Sequence, residues 1–121
     1  MTTWITICDT CKLEGWEATG ATETDGERLA TLVEAAAQVP LRTRRVSCLM
    51  GCSHGCNVAI QADGKLAYTL GRFTPDADAA EAITAYAALH SASETGVVPY
   101  RQWPEGVKGH FVTRHPPLPD E

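Results

Sequence analysis

The chain has 121 residues, an ordinary composition and a modest acidic excess that gives a net charge of −5 at pH 7. This length suits one compact domain, and the acidic balance argues against non-specific nucleic-acid binding, which needs a clustered positive surface. No apolar run approaches the roughly 20 residues that span a bilayer, so no membrane association is predicted.

The first half of the chain predicts a strand, a helix and a second strand. Residues 4–7 are β-branched and aromatic and predict a short buried strand. Thr24 with Glu27 forms a capping-box pattern, and the apolar positions that follow have helical spacing until Pro40, which is expected to end the helix. Residues 12–21 predict a loop, and residues 41–47 predict a strand that leads into a cysteine-rich loop.

The second half predicts a hairpin and another helix. Residues 57–61 and 65–70 flank an Asp-Gly turn, which is a strong hairpin signal. Thr74 is expected to cap the second helix with Pro75 at its first position. The apolar face of this helix consists of Ala79, Ile83, Tyr86 and Ala87. A βαβ unit, a hairpin and a helix predict an α/β (α+β) fold with a small mixed sheet.

The last part of the chain, residues 91–121, has a different composition. Its glycines and prolines break any period, yet it retains several large apolar residues. We therefore expect an irregular extension that is partly packed, with a disordered end over residues 116–121.

The five cysteines carry the functional signal. Since the N-terminus lacks the pattern of a secretory signal, we expect a cytoplasmic protein, where paired cysteines by default bind metal or do redox chemistry. Cys8 and Cys11 form a C-x2-C pair, and Cys48 and Cys52 form a C-x3-C pair. Two short loops that present two thiolates each suit a metal ion or an iron–sulfur cluster. Cys56 is either a substitute ligand, a reserve thiol, or a small buried side chain at the start of the third strand.

These elements and cysteine loops resemble the thioredoxin-like [2Fe-2S] ferredoxins. More closely, Ile7-Cys8-Asp9-Thr10-Cys11 and the 46–52 segment, Val-Ser-Cys-Leu-Met-Gly-Cys, are similar to a family of small bacterial predicted metal-binding proteins often encoded beside cobalamin-synthesis genes. The resemblance covers roughly residues 3–90. The chain departs from the ferredoxins in the short spacing of its first two cysteines and in Cys56, which has no counterpart there.

The resemblance implies a thioredoxin-like iron–sulfur domain over residues 1–90 and a homodimer. It also implies four iron ligands, which are Cys8, Cys11, Cys48 and Cys52. The expected function is that of a [2Fe-2S] electron carrier or redox accessory with a protein redox partner, in a setting near cobalamin or cobalt metabolism. No catalytic residues and no enzyme activity are predicted, because no phosphate-cradling loop, nucleophile elbow or zinc-protease helix is found.

Two other readings remain open. Zinc accepts four cysteines, although its second pair is usually also C-x2-C, and would make the protein a non-redox binding module or metal carrier. A dithiol oxidoreductase is the weaker reading, because Cys11 is not followed by a helical pattern whose dipole would lower a thiol pKa. His54 could also ligate a metal, but a lone loop histidine is more often solvated.

Overall fold

The computed structural model describes residues 2–50 and 55–119. The strands and helices are, in chain order, β1 (Trp4–Cys8), α1 (Asp25–Ala36), β2 (Arg42–Val46), β3 (Val58–Gln61), β4 (Ala67–Leu70), α2 (Ala77–Ala92) and β5 (Phe111–His115). Short 3-10 helices occupy Trp16–Thr19, Tyr100–Gln102 and Glu105–Val107, the first of them inside a segment predicted as loop. The predicted α/β class is confirmed, with its βαβ unit, hairpin and second helix.

The strands form one mixed sheet in the order β2-β1-β3-β4-β5. β1 and β2 run parallel, and the other three neighbouring pairs are antiparallel. α1 connects the parallel pair, and it packs against α2 as well as against β1 and β2. Alternate strand residues such as Ile5 and Ile7 point into a core that they share with Leu29 of α1 and Ile83 of α2.

The capping box predicted for α1 is present. The Thr24 hydroxyl accepts a hydrogen bond from the backbone N–H of Glu27 at 3.0 Å, and the Glu27 carboxylate accepts one from the N–H of Thr24 at 2.9 Å. The helix ends at Ala36, where the chain turns to an extended conformation shortly before Pro40. Pro40 therefore lies beyond the end of α1, which stops three residues before the position that the proline restricts.

The predicted start of α2 was wrong. Asp76 caps the helix, since its carboxylate accepts a hydrogen bond from the N–H of Ala79 at 2.8 Å, and Thr74 and Pro75 both precede the helix. Aspartate is as effective a cap as threonine, so the Thr-Pro-Asp run offered two suitable capping residues. The predicted apolar face is confirmed, and it is buried at all four positions: Ala79, Ile83, Tyr86 and Ala87.

The C-terminal extension is more regular than predicted, because it contains β5. This strand pairs with β4, with an irregularity in register between Thr69 and Leu70. Val98 and Val107 join the hydrophobic core, which confirms that the extension is partly packed. Residues 116–119 are exposed and without regular secondary structure, while residues 120–121 of the predicted disordered end lie outside the described residues.

A buried polar network fastens the β3–β4 turn to the end of α2. His90 is 0% exposed, and its Nε2 lies 2.7 Å from the carbonyl oxygen of Leu66. Because a carbonyl only accepts, Nε2 carries the proton, and Nδ1 accepts from the Thr3 hydroxyl at 3.1 Å. The Lys65 ammonium donates to the carbonyls of His90 and Ser91 at 3.1 and 2.8 Å, which satisfies the last turn of the helix.

This network makes stability depend on pH. Burial lowers the pKa of His90, and the nearby Lys65 charge lowers it further, so the unfolded chain takes up a proton at a higher pH than the folded one. The stability contributed by the neutral ring is therefore complete above about pH 6.5 and is lost progressively as the pH falls below it.

Urea unfolding between about pH 8 and pH 5 should show this loss in the parent protein and a flatter dependence in His90→Gln. His115→Gln is the control, because His115 is exposed on β5, and it should keep the parent slope. Equal slopes for the parent and His90→Gln would contradict the assignment.

Candidate metal centre

The two cysteine segments follow β1 and β2, and both therefore start at the carboxyl-terminal end of this parallel pair of strands. Because β1 and β2 are parallel, their carboxyl ends lie side by side, with Cys8 opposite Val46. The N–H of Asp9 donates to the Val46 carbonyl at 3.0 Å, and the Thr10 hydroxyl donates to the Ser47 carbonyl. Residues 8–11, here called the N-terminal cysteine loop, are thus held beside the segment that leads to Cys48.

The two sulfurs of the N-terminal cysteine loop are buried together. Cys8 and Cys11 are 2% and 6% exposed, and their thiols hydrogen-bond to each other. The Cys8 sulfur also accepts the backbone N–H of Leu49, while the Cys11 sulfur accepts those of Cys56 and Asn57. The Asn57 side-chain amide adds a further donor to Cys11 at 3.2 Å. The sulfur pair therefore lies among N–H groups supplied by two other segments of the chain, one at Leu49 and one at Cys56 and Asn57.

These surroundings shift the two thiol pKa values in opposite directions. Burial raises the pKa of Cys8, but the hydrogen bonds from Cys11, from the Leu49 N–H and from Thr10 outweigh burial and hold it below its usual value. Burial and the hydrogen bond to Cys8 raise the pKa of Cys11 to about 11. In the free protein the first thiolate of the pair is thus stabilised on Cys8, with Cys11 as its donor.

The second predicted pair is only partly described. The Cys48 side chain is exposed and accepts the N–H of Met50 at 3.3 Å, in a turn where Met50 has φ 61°. Cys52 and His54 lie outside the described residues. Within residues 2–50 and 55–119, no group of three or more cysteine, histidine or acidic side chains is placed to hold a metal ion. The structure brings Cys8 and Cys11 together, leaves Cys48 apart from them, and does not describe Cys52.

Cys56 belongs to the hydrophobic core. It is 0% exposed, precedes β3, and adopts a left-handed conformation with φ 58°. Burial raises the pKa of its thiol to about 12, and the nearby Asp25 and Cys11 raise it as well. Of the roles predicted for this residue, the small buried side chain is the one that the structure shows.

A family model with the description "Protein of unknown function (DUF1636)" matches residues 5–117. The chain belongs to this family. The match includes the N-terminal cysteine loop, Cys48 and most of the C-terminal extension. Comparisons with curated proteins and with solved structures give no match. No helix in the described part of this DUF1636 chain has the length and apolar character needed to cross a membrane.

The sequence did not reveal that the first turn of α1 packs on the N-terminal cysteine loop. The Gly26 N–H donates to the Cys11 carbonyl at 2.9 Å, and the Thr24 hydroxyl donates to the Asp9 carbonyl. The Asp25 carboxylate accepts the N–H of Leu13 at 2.7 Å. A helix N-terminus therefore contacts the loop although no helix directly follows Cys11. Its Gly26 and Glu27 amides donate to oxygens rather than to sulfur.

Two glycines allow the close approaches around this loop. A Cβ on Gly26 would lie 2.1 Å from the Cys8 carbonyl oxygen and 3.0 Å from the Asp9 backbone, which cannot move independently of β1. A Cβ on Gly55 would lie 2.9 Å from the end of the Leu13 side chain, which can rotate away. Gly55 thus serves packing here, while Gly51, predicted alongside it to bring backbone near sulfur, lies outside the described residues.

We therefore expect Gly26→Ala to destabilise the protein by roughly 1–3 kcal/mol, although glycine to alanine usually stabilises a helix. Gly55→Ala is the matched control and should cost less than about 1 kcal/mol, since only a flexible side chain must shift. Denaturant unfolding of the three proteins measures both effects. A Gly26→Ala variant as stable as the parent would show that α1 is not in close backbone contact with the N-terminal cysteine loop.

Proposed function

We propose that this protein binds a [2Fe-2S] cluster through Cys8, Cys11, Cys48 and Cys52 and carries single electrons. The observation that carries the proposal is the buried pair of Cys8 and Cys11 sulfurs, which accept several N–H groups. This pair lies at the carboxyl end of β1, beside the end of β2 that leads to Cys48. Buried thiols are usually inert packing residues, and they do not need such donors.

The donor set fits the chemistry of an iron–sulfur site. Four thiolates around two irons leave a net negative centre, and N–H groups directed at the sulfurs offset that charge and tune the reduction potential. Asn57 and its neighbours supply such donors to Cys11, and Leu49 supplies one to Cys8. The chemistry that such a cluster contributes when bound is the uptake and release of one electron.

Burial of Cys8 and Cys11 has a second effect, since it keeps water away from half of the ligand set. The same burial argues against a dithiol oxidoreductase, because a thiol that exchanges disulfides must be reached by its partner.

Cys48 is exposed and apart from the pair, so the proposal requires the 48–50 segment to change conformation when the four ligands assemble.

The proposed setting rests on the resemblance rather than on the site. It comprises a protein redox partner, a second copy of the chain, and a place near cobalamin or cobalt metabolism, where reduction of corrin-bound cobalt is a natural use.

The β2 arginines make contacts within the fold. Arg42 stacks on Trp4, Arg44 donates to Thr6 at 2.7 Å, and Arg45 pairs with a carboxylate of α1. All three side chains belong to exposed residues, so contact with an acidic partner would compete with these interactions.

Zinc is the second candidate, and the C-x2-C pair favours it. Thiolates at C-x2-C spacing with backbone N–H donors also suit a structural zinc ion, and the same four cysteines would hold it. The protein would then be a non-redox binding module or a metal carrier.

Metal analysis discriminates between the two. Protein purified without oxygen should be red-brown, contain iron and acid-labile sulfide in equal amounts, and give a spin-half EPR signal after reduction with dithionite. Colourless protein with one zinc per chain would establish the alternative and overturn the cluster.

Two buried cysteines provide a matched test of the ligand set. Cys11→Ser should abolish cluster binding, because a hydroxyl is a poor ligand for this soft site, while Cys56→Ser should retain the spectrum with at most a shifted potential. Both variants remove one buried thiol from the same neighbourhood, and circular dichroism reports whether each folds. If Cys56→Ser lost the iron and Cys11→Ser kept it, Cys56 would replace Cys11 as a ligand.

A further inference from the structure

A cleft of about 310 Å³ lies on the part of the molecule that the C-terminal extension builds. Its lining comes from Tyr68 of β4, from Val97, Val98 and Trp103 in the extension, and from residues 111–114 of β5. None of the residues that line it is a cysteine of the described ranges, so the cleft is separate from the N-terminal cysteine loop. Its volume is at the lower end of the range for small-molecule sites, which sets the ligand size.

The walls of this cleft, here called the aromatic cleft, are rings held in fixed positions. Trp103 and Phe111 are tilted against each other with centroids 4.4 Å apart, and Tyr68 meets Phe111 edge to face at 5.6 Å. The Trp103 indole N–H donates to the Val98 carbonyl at 2.8 Å, so its polar atom is satisfied inside the wall. Val97, 47% exposed, adds uncovered apolar surface to the lining. Such walls favour a flat apolar ligand.

Arg114 is the one charged side chain among the described residues that line the cleft. Arg114 is the cross-strand neighbour of Tyr68, is exposed, and forms no ion pair with any carboxylate of the described residues. A guanidinium presents a planar set of donors that matches the two oxygens of a carboxylate. The cleft therefore joins an apolar interior to an anion-binding group.

The buried hydroxyl of Tyr86 lies next to the ring walls of the cleft and is a further polar group near Arg114. The Tyr86 ring packs edge to face on both Tyr68 and Phe111, and its oxygen is buried without an acceptor in hydrogen-bond geometry among the described residues. Burial and the adjacent Tyr68 hydroxyl raise the pKa of Tyr86, while Arg114 is close enough to lower it slightly. Tyr86 therefore stays protonated, and its hydroxyl interacts with the Tyr68 hydroxyl within the field of Arg114. A ligand oxygen at the Tyr68 hydroxyl, which belongs to the cleft lining, would add an acceptor to this pair.

We infer that the aromatic cleft binds a small aromatic carboxylate, with its ring among the side chains of Tyr68, Trp103 and Phe111 and its carboxylate on Arg114. The ligand class follows from three features together: the ring walls, the small volume, and a guanidinium beside Tyr68 that has no ion pair within the described part of the chain. A purely apolar ligand would make no use of the guanidinium or of the Tyr68 hydroxyl.

Phenylacetate is the probe, and its neutral analogue phenylacetamide is the ligand control. In ¹H–¹⁵N spectra of the full chain, the Trp103 indole N–H should shift saturably with phenylacetate, with a dissociation constant in the millimolar range or below. Phenylacetamide should bind roughly tenfold more weakly, as expected for loss of a charge-assisted contact.

Arg114→Gln should weaken phenylacetate binding by a similar factor and should abolish the preference for the acid over the amide. Arg42→Gln is the matched control, because Arg42 lies on β2 at the opposite edge of the sheet, and it should bind as the parent does. A parent protein with no saturable shift, or one that binds acid and amide equally, would overturn the inference, and neither result depends on the folding of a variant.

Discussion

The packing of the first turn of α1 on the N-terminal cysteine loop is the constraint on which the rest of the site depends. A loop of this kind leaves backbone carbonyls that need donors, and a helix start leaves N–H groups that need acceptors. Gly26 and Thr24 supply the donors to the carbonyls of Cys11 and Asp9. The helix start thus provides donors to the carbonyl oxygens of the loop, while the Cys8 and Cys11 sulfurs receive N–H groups from Leu49, Cys56 and Asn57.

Local signals explain which parts of the structure were predictable. The capping box at Thr24 and the Asp-Gly turn between β3 and β4 are properties of a few consecutive residues, and both predicted elements form. The C-x2-C spacing likewise places Cys8 and Cys11 together. Where two neighbouring residues offered the same local chemistry, as Thr74 and Asp76 do, the pattern could not choose between them.

The features that were missed depend on contacts between distant parts of the chain. β5 is mostly exposed, so no alternation of apolar and polar residues marked it, and it forms by pairing with the edge of β4. The packing of α1 on the cysteine loop also requires the folded sheet, and only the fold shows that Cys56, for which a buried position was one of three predicted roles, lies in the core. The core continues into the extension, since a Cβ on Gly106 would lie 2.5 Å from that of Ala82 in α2. Nothing in the local sequence marks that contact.

The backbone origin of most donors to the sulfur pair has a consequence for how this family can diverge. The amides of Leu49, Cys56 and Asn57 belong to the chain itself, so exchange of a side chain at the first two positions leaves the direct donor in place. Among the described contacts, those of the Asn57 carboxamide with Cys11 and of the Thr10 hydroxyl with Cys8 depend on residue type. The electrostatic environment of Cys8 and Cys11 is thus inherited with the sheet, and the outer surface is free to change its partners without altering it.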